Sequence, residues 1–247
     1  MQVREFIDPK TEKLVCRVNL FHDRNPEEPV AFDEFLNWIA KFNPEQEGFA
    51  TYIHDSATFS ALAALNAQRY RWNRNAKEPR QWYGSVTISH TNILLSRYGS
   101  WDCNVVTLAH VHRADDKIDL NGAKIIAPNM PGQLKGSIGG GYGEFYRSYV
   151  DQKGSFVLQT RPNGAYNAST QIDAPNPCPQ SYDAMWGSKE KEVTHCLVYG
   201  DPGSGKSHFA STWPKPIQVV LFDPKSKGSV YYHLGQELPH ALSTKEH

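Results

Sequence analysis

The chain has 247 residues, with Lys+Arg and Asp+Glu balanced at 26 each and aromatics at 12%. That length suits one large α/β domain, or one domain with a small appendage, and the aromatics supply a sizeable core. Zero net charge excludes nucleic-acid binding through overall charge but not through a local basic patch; no apolar run approaches the roughly 18 residues of a membrane span, no signal peptide opens the chain, and four scattered cysteines without a C-x-x-C pair read as reduced thiols of a soluble, cytoplasmic protein.

The first predicted elements are a hairpin over residues 3–20, two β-prone runs flanking the turn signal Asp8-Pro9-Lys10-Thr11. Residues 32–42 place Phe35, Leu36, Trp38, Ile39 and Phe42 near helical spacing. A strand over 48–56 ends in Asp55-Ser56, and an Ala- and Leu-rich helix follows from Thr58 to Tyr70. The stretch Arg69–Tyr83 is polar and mixes Arg, Lys, Trp and Tyr; a helix over Ser89–Arg97 leads to the apolar strand Val105–Ala109, which ends at His110. Residues 111–145 read as loop, 144–160 as a second hairpin around Asp151-Gln152-Lys153-Gly154, and 173–190 as a Pro-, Ser- and Asn-rich linker. Another strand, Ile217–Phe222, ends at Asp223. Parallel strands separated by helices indicate a three-layer α/β sheet.

The most specific motif lies near the end. Gly200-Asp201-Pro202-Gly203-Ser204-Gly205-Lys206-Ser207 fits G-x-x-x-x-G-K-[ST], the P-loop pattern, with an apolar strand (Cys196–Tyr199) before it and a short helical run starting at His208 after it. The glycines let the backbone turn tightly and aim successive N–H groups at phosphate oxygens, and the helix start adds partial positive charge. Lys206 then reaches the β- and γ-phosphates of a nucleotide and Ser207 holds Mg²⁺. A Gly/Ser surface loop is the alternative; the full pattern with both flanks speaks against it.

Such a loop needs an acid at the end of an apolar strand to hold Mg²⁺ or its water. Two positions qualify. Asp223 follows the P-loop so closely that its strand is expected to neighbour the P-loop strand. Asp55 precedes the P-loop, the reverse of the usual order, and is preferred. An ordinary strand-end turn Asp is the alternative for either.

Taken together these pieces resemble the RecA-like, AAA-type P-loop ATPases of phages and prophages, a family related to phage single-strand-annealing recombination ATPases. The matching segments are Leu197–Ser207, Phe222-Asp223-Pro224, Tyr52–Ser56, Pro79–Gly84, Val105–His110, Pro131–Leu134 and Leu158–Arg161, which together span nearly the whole chain. Only the P-loop is specific alone. They match in rotated order: placing 189–247 ahead of 1–187 restores the family arrangement, so the chain reads as circularly permuted, with His247 running into Gln2 and Gly187-Ser188 as a joining scar. A natural permutation and a rearranged sequence record are the alternatives. Permutation is tolerated where termini lie together at the surface.

The resemblance implies a RecA-like core binding ATP and Mg²⁺ through residues 200–208, with Asp55 as metal-side acid and His110 as a polar sensor near the γ-phosphate; the alternative for His110 is a backbone-capping strand-end residue. It also implies a Glu beyond the strand after the P-loop helix, where this chain has Asp223-Pro224-Lys225-Ser226-Lys227. Asp223 would orient water in its place, or ATP is bound and hydrolysed slowly. Lys135, Arg147 and Arg161 are candidates for the cation a neighbouring subunit offers the γ-phosphate, or are solvated surface charges. Arg71, Trp72, Arg74 and Lys135 offer the aromatic and basic composition of a single-stranded DNA surface, or a charged loop with buried aromatics. His112, Asp115 and Asp116 match no metal signature. The function expected is a DNA-linked ATPase of phage recombination or replication, cytoplasmic in the host and a candidate homo-oligomer. A nucleotide switch or assembly ATPase that contacts protein is the second reading, and a small-molecule kinase fits less well.

Overall fold

In the computed structural model, residues 1–112, 126–131, 134, 138–187, 193–223 and 229–237 are described. The opening hairpin forms as its turn chemistry dictates: β1 (Gln2–Ile7) pairs antiparallel with β2 (Leu14–Leu20). The Asp8 carboxylate accepts from the Lys10 N–H at 2.8 Å, the side-chain-to-backbone bond that favours Asp in turns. α1 (Ala31–Lys41) buries Phe32, Phe35 and Ile39 along one stripe. Asp23 caps it from outside the helix, its Oδ1 accepting from Val30 N and Ala31 N at 2.7 Å each. Asp33 and Glu34 in the first turn and Lys41 in the last complement the helix dipole.

β3 (Thr51–Asp55) leads into α2 (Ala57–Ala67), which widens over Gln68–Trp72. α3 begins at Pro79, with proline in its first turn, runs to Thr91 and widens over Asn92–Arg97. Most of the polar stretch Arg69–Tyr83 is therefore helical. β4 (Asn104–His112) continues two residues past His110. β5 (Ala127–Pro128), β6 (Glu144–Val150), β7 (Phe156–Gln159) and β8 (Cys178–Pro179) follow. Then come α4 (Tyr182–Trp186), β9 (His195–Gly200), α5 (Lys206–Ser211), β10 (Ile217–Leu221), a tight turn over Ser229–Leu234, and β11 (Gln236–Glu237).

The strands form one sheet in the order β11-β1-β2-β10-β3-β4-β9-β6-β7-β8, with β5 off this path against β4. The middle of the sheet, from β2 through β10, β3, β4 and β9 to β6, is parallel throughout. The flanking pairs are antiparallel, so the sheet is mixed. The two late strands do not add to an edge. β9 sits between β4 and β6, and β10 between β2 and β3.

Period-two alternation splits the strands between two cores. Tyr52, Val105, Ala109, Leu197, Tyr199 and Val220 face the side covered by α1, α2 and α3. Ile53, Val106, Leu108, Cys196, Val198 and Leu221 face Phe209 of α5, Tyr182 and Met185 of α4, Trp213 and Tyr231. Helices thus cover both faces, as parallel strands buried on both sides require.

Two expectations are corrected here. β10, the strand ending before Asp223, does not neighbour the P-loop strand: β4 and β3 lie between them. Residues 173–187, read as part of a linker, are packed. Ala174, Cys178, Tyr182 and Met185 are buried in the second core, and Ser181 caps α4 by accepting from Ala184 N at 3.1 Å. Ser188 and the charged run after it lie outside the described residues. All four cysteines are unpaired and buried. Among the described residues no helix is long and apolar enough to cross a membrane.

Candidate functional site

The parallel strands all point their C-terminal ends to one edge, and the singled-out residues collect there. Gly200 ends β9. His110 lies across from it in register on β4, and Asp55 ends β3, in register with Leu221 on β10. One strand, β4, separates β9 from β3, so the residues at their ends are about 10 Å apart. The loop after Gly200 and the first turn of α5 bridge that gap. The hydroxyl of Ser207 donates to Asp55 Oδ2 at 2.8 Å across 152 positions of sequence. Tyr231 donates to the same oxygen at 3.0 Å.

The loop is held by its glycines and by what packs beneath it. Gly203 and Gly205 adopt φ of 76° and 89°, a region open to glycine at little cost. A Cβ at Gly200 would stand 2.2 Å from the Ser148 carbonyl oxygen, so β6 and the loop approach as closely as backbones can. Ser148 donates to the Ser204 carbonyl at 2.6 Å. From the supposed linker, Gln180 reaches in beneath: its Nε2 lies 2.8 Å from Ser148 Oγ, 3.0 Å from Val157 O and 2.8 Å from Ser204 O. Gln180 Oε1 is buried with no hydrogen-bond partner among the described residues.

Lys206 is buried and folds back over the loop, donating to the carbonyls of Gly200 at 3.0 Å and Asp201 at 2.8 Å. Burial lowers its pKa to about 8, against the opposing pull of Asp55 and Asp201. Burial raises Asp55 above the usual carboxylate range, while the hydrogen bonds from Ser207 and Tyr231 and the charge of Lys206 oppose the rise. His110 is half-buried; burial and then Lys206 lower its pKa, and Asp223 opposes them. His110 N donates to Thr58 Oγ1 at 2.9 Å, and its ring meets Phe59 edge-on at 5.2 Å. Asp223 is half-buried and close enough to Asp55 and His110 for its charge to act on both; Phe222 N, one residue earlier, donates to the Asp55 carbonyl at 2.8 Å. Pro202 and His208 are exposed, and the His208 ring lies 5.8 Å from that of His233.

The remaining candidates are dispersed. Arg71 pairs with Asp33 and donates to Pro29 O at 2.9 Å, so the N-terminal turn of α1 already engages it. Trp72 is 41% exposed with its ring 5.9 Å from Phe32, and Arg74 lines a pocket of about 510 Å³ with Tyr70, Arg71, Glu27, Glu28 and Val30. Arg147 lies over the rings of Tyr166 and Tyr149. Arg161 is 63% exposed, 3.9 Å from Asp173. Lys135, Asp115 and Asp116 lie outside the described residues, as does Pro224–Lys227.

Among the described residues no group of three or more His, Cys, Asp or Glu is placed to hold a metal. The carboxylate of Asp55 and the hydroxyl of Ser207 are nevertheless hard oxygen donors in contact, the chemistry Mg²⁺ prefers when phosphates and water complete its shell. Ser148, Gln180 and Tyr231 were not legible in sequence: Gln180 sits in a stretch whose composition reads as linker, and Tyr231 in a run without periodicity. No family model, curated protein or solved structure matches this chain.

Proposed function

We propose that this chain is a RecA-like P-loop protein, in circularly permuted order, that binds ATP with Mg²⁺ at residues 200–208 and hydrolyses it in work on single-stranded DNA during phage recombination or replication. One observation carries the nucleotide reading: Ser207 of the P-loop pattern meets the strand-end acid Asp55 at 2.8 Å, though nothing local in sequence links them. A Gly/Ser surface loop has no reason to bury its lysine and dock its serine on a distant carboxylate.

The residues divide the work as follows. The left-handed turns at Gly203 and Gly205 favour a concave run of backbone N–H groups, the cradle that binds phosphate. Lys206 exchanges two backbone carbonyls for phosphate oxygens, and the added negative charge keeps it protonated. Asp55 and Ser207 would hold Mg²⁺, which when bound neutralises charge developing between the β- and γ-phosphates. His110 and Asp223 are the polar groups available to orient water, Asp223 standing where the family pattern implies Glu. Trp72 and Arg74 offer a stacking ring and a cation to a single strand. The pairing of β11 with β1, Glu237 opposite Phe6, supports the permutation by bringing a late strand beside the opening hairpin, as the rotated order requires.

The test is Mg²⁺-dependent ATP hydrolysis with and without single-stranded DNA, with Lys206→Ala as the blank. DNA-stimulated turnover lost in Lys206→Ala supports the whole reading. ATP affinity retained in Lys206→Ala refutes the P-loop assignment. ATP binding without turnover, DNA or not, refutes the ATPase part and leaves a nucleotide switch.

A further inference from the structure

The proposed metal-side acid has a second partner that the P-loop pattern does not supply. Tyr231 is fully buried and lies 176 positions from Asp55, yet its hydroxyl donates to Asp55 Oδ2 at 3.0 Å. Its turn, Ser229–Leu234, is fixed from two sides. On one, the Tyr232 ring lies 5.3 Å from Phe6 of β1, and Arg4 donates to the Tyr232 hydroxyl. On the other, His233 Nε2 lies 3.1 Å from Ser211 Oγ at the end of α5. β11, directly after the turn, pairs with β1. Tyr231 therefore has little freedom to leave the carboxylate.

A phenol has one proton to give, and here it goes to an oxygen that already accepts from Ser207. Both of these bonds hold the carboxylate through Oδ2, and among the described residues Oδ1 is the oxygen left to a cation. We propose that Tyr231 is a positioning residue for the divalent metal that accompanies the nucleotide, holding Asp55 in one orientation through Oδ2. This inference rests on the P-loop reading above. A partner that orients a ligating carboxylate characteristically changes metal affinity about 10–100-fold when lost. Tyr231 meets the P-loop at the Ser207 hydroxyl, a metal-side group; nucleotide affinity without metal depends on the loop's backbone N–H groups and Lys206, and should not change.

The test uses the full chain and a ribose-labelled fluorescent ATP analogue, titrated first in EDTA and then against MgCl₂. Tyr231→Phe keeps the ring and removes only the hydroxyl; its cooperative unfolding is checked first. The expected result is unchanged affinity in EDTA and a midpoint for Mg²⁺ raised about 10-fold or more. In an Asp55→Asn background, Tyr231→Phe should add nothing to the Mg²⁺ midpoint, because the tyrosine acts through the carboxylate. A Mg²⁺ midpoint unmoved by Tyr231→Phe in a folded chain overturns the assignment, as does an equal shift in the Asp55→Asn background. A wild-type chain that binds no nucleotide under either condition overturns the P-loop reading itself.

Discussion

Alanine at Gly203 and alanine at Gly205 should have different costs, though both glycines lie in the same loop. Both φ angles are left-handed, 76° and 89°, and forcing a Cβ into that region costs about 1–2 kcal/mol. At Gly203 the new Cβ meets nothing within 4 Å among the described residues; at Gly205 it stands 2.3 Å from Gln180 Oε1 and 2.9 Å from Phe156 Cδ1. Phe156 is 48% exposed and has room to swing out. Gln180 is buried, and moving it disturbs the contacts of its amide nitrogen with Ser148, Val157 and Ser204. The amide has two protons to share among these contacts, so at about 0.5–1.5 kcal/mol for each bond lost that adds about 1–3 kcal/mol. For a chain of this size each kcal/mol moves Tm by about 2–4 °C, so Gly205→Ala should melt roughly 2–12 °C below Gly203→Ala. Thermal unfolding without nucleotide, followed by circular dichroism, measures this. In a Gln180→Ala background the obstacle is gone and the gap should close. Equal melting of the two variants, or a gap that survives Gln180→Ala, would refute the packing of Gln180 against the loop.

Asp55→Asn should abolish Mg²⁺-dependent turnover while leaving the chain folded; if Asp223→Asn does so and Asp55→Asn does not, the acid has been misassigned. Trp72→Ala with Arg74→Ala should weaken single-stranded DNA binding and flatten its salt dependence, measured by fluorescence anisotropy; unchanged affinity would move the DNA surface elsewhere. Stability should fall on acidification because burial lowers the pKa of His54 to about 3 and of His90 to about 4. The unfolded chain takes up two protons below its ordinary histidine pKa that the folded chain refuses, so between about pH 7 and about pH 5 each site costs about 2 kcal/mol. Urea midpoints report the loss, histidine NMR should show both rings neutral across that range, and a ring that titrates near its ordinary value would sink the account.

Local chemistry explains what was legible in sequence. The hairpin turn at Asp8, the apolar stripe of α1 and the Gly-rich loop with its flanking strand and helix are each written within a short stretch of sequence. The preference for Asp55 over Asp223 rests in sequence on the expected neighbourhood of the Asp223 strand and the P-loop strand, and the contact of Asp55 with Ser207 has no local signal. The rest depends on long-range pairing. The short connection from Ser211 to Ile217 suggests adjacent strands, yet the slots beside β9 go to β4 and β6. Proline and asparagine near 175 report local backbone preference, whereas Cys178, Tyr182 and Met185 are held by a core assembled from distant strands. The buried polar chain from Tyr52 through Tyr98 and His54 to Ser60 and His90 leaves no sequence signal either. Its members are scattered from residue 52 to residue 98 in no recurring pattern and satisfy one another only once β3 packs against α2 and α3.

The interior placement of β9 and β10 dictates how the chain must fold as it is made. A ribosome delivers β1 through β8 before either strand exists. That nascent sheet has two one-strand gaps, between β2 and β3 and between β4 and β6, and each gap has unpaired backbone on both sides. Such edges are templates for wrong pairing, and closing them requires contacts between residues far apart in sequence, which is slow. The intermediate is therefore exposed to aggregation until residues 195–221 emerge and thread into place. Because Asp55 borders one gap and Ser207 follows the strand that fills the other, the contact between them forms only after both gaps close. That contact, rather than helical signal, marks the native sheet.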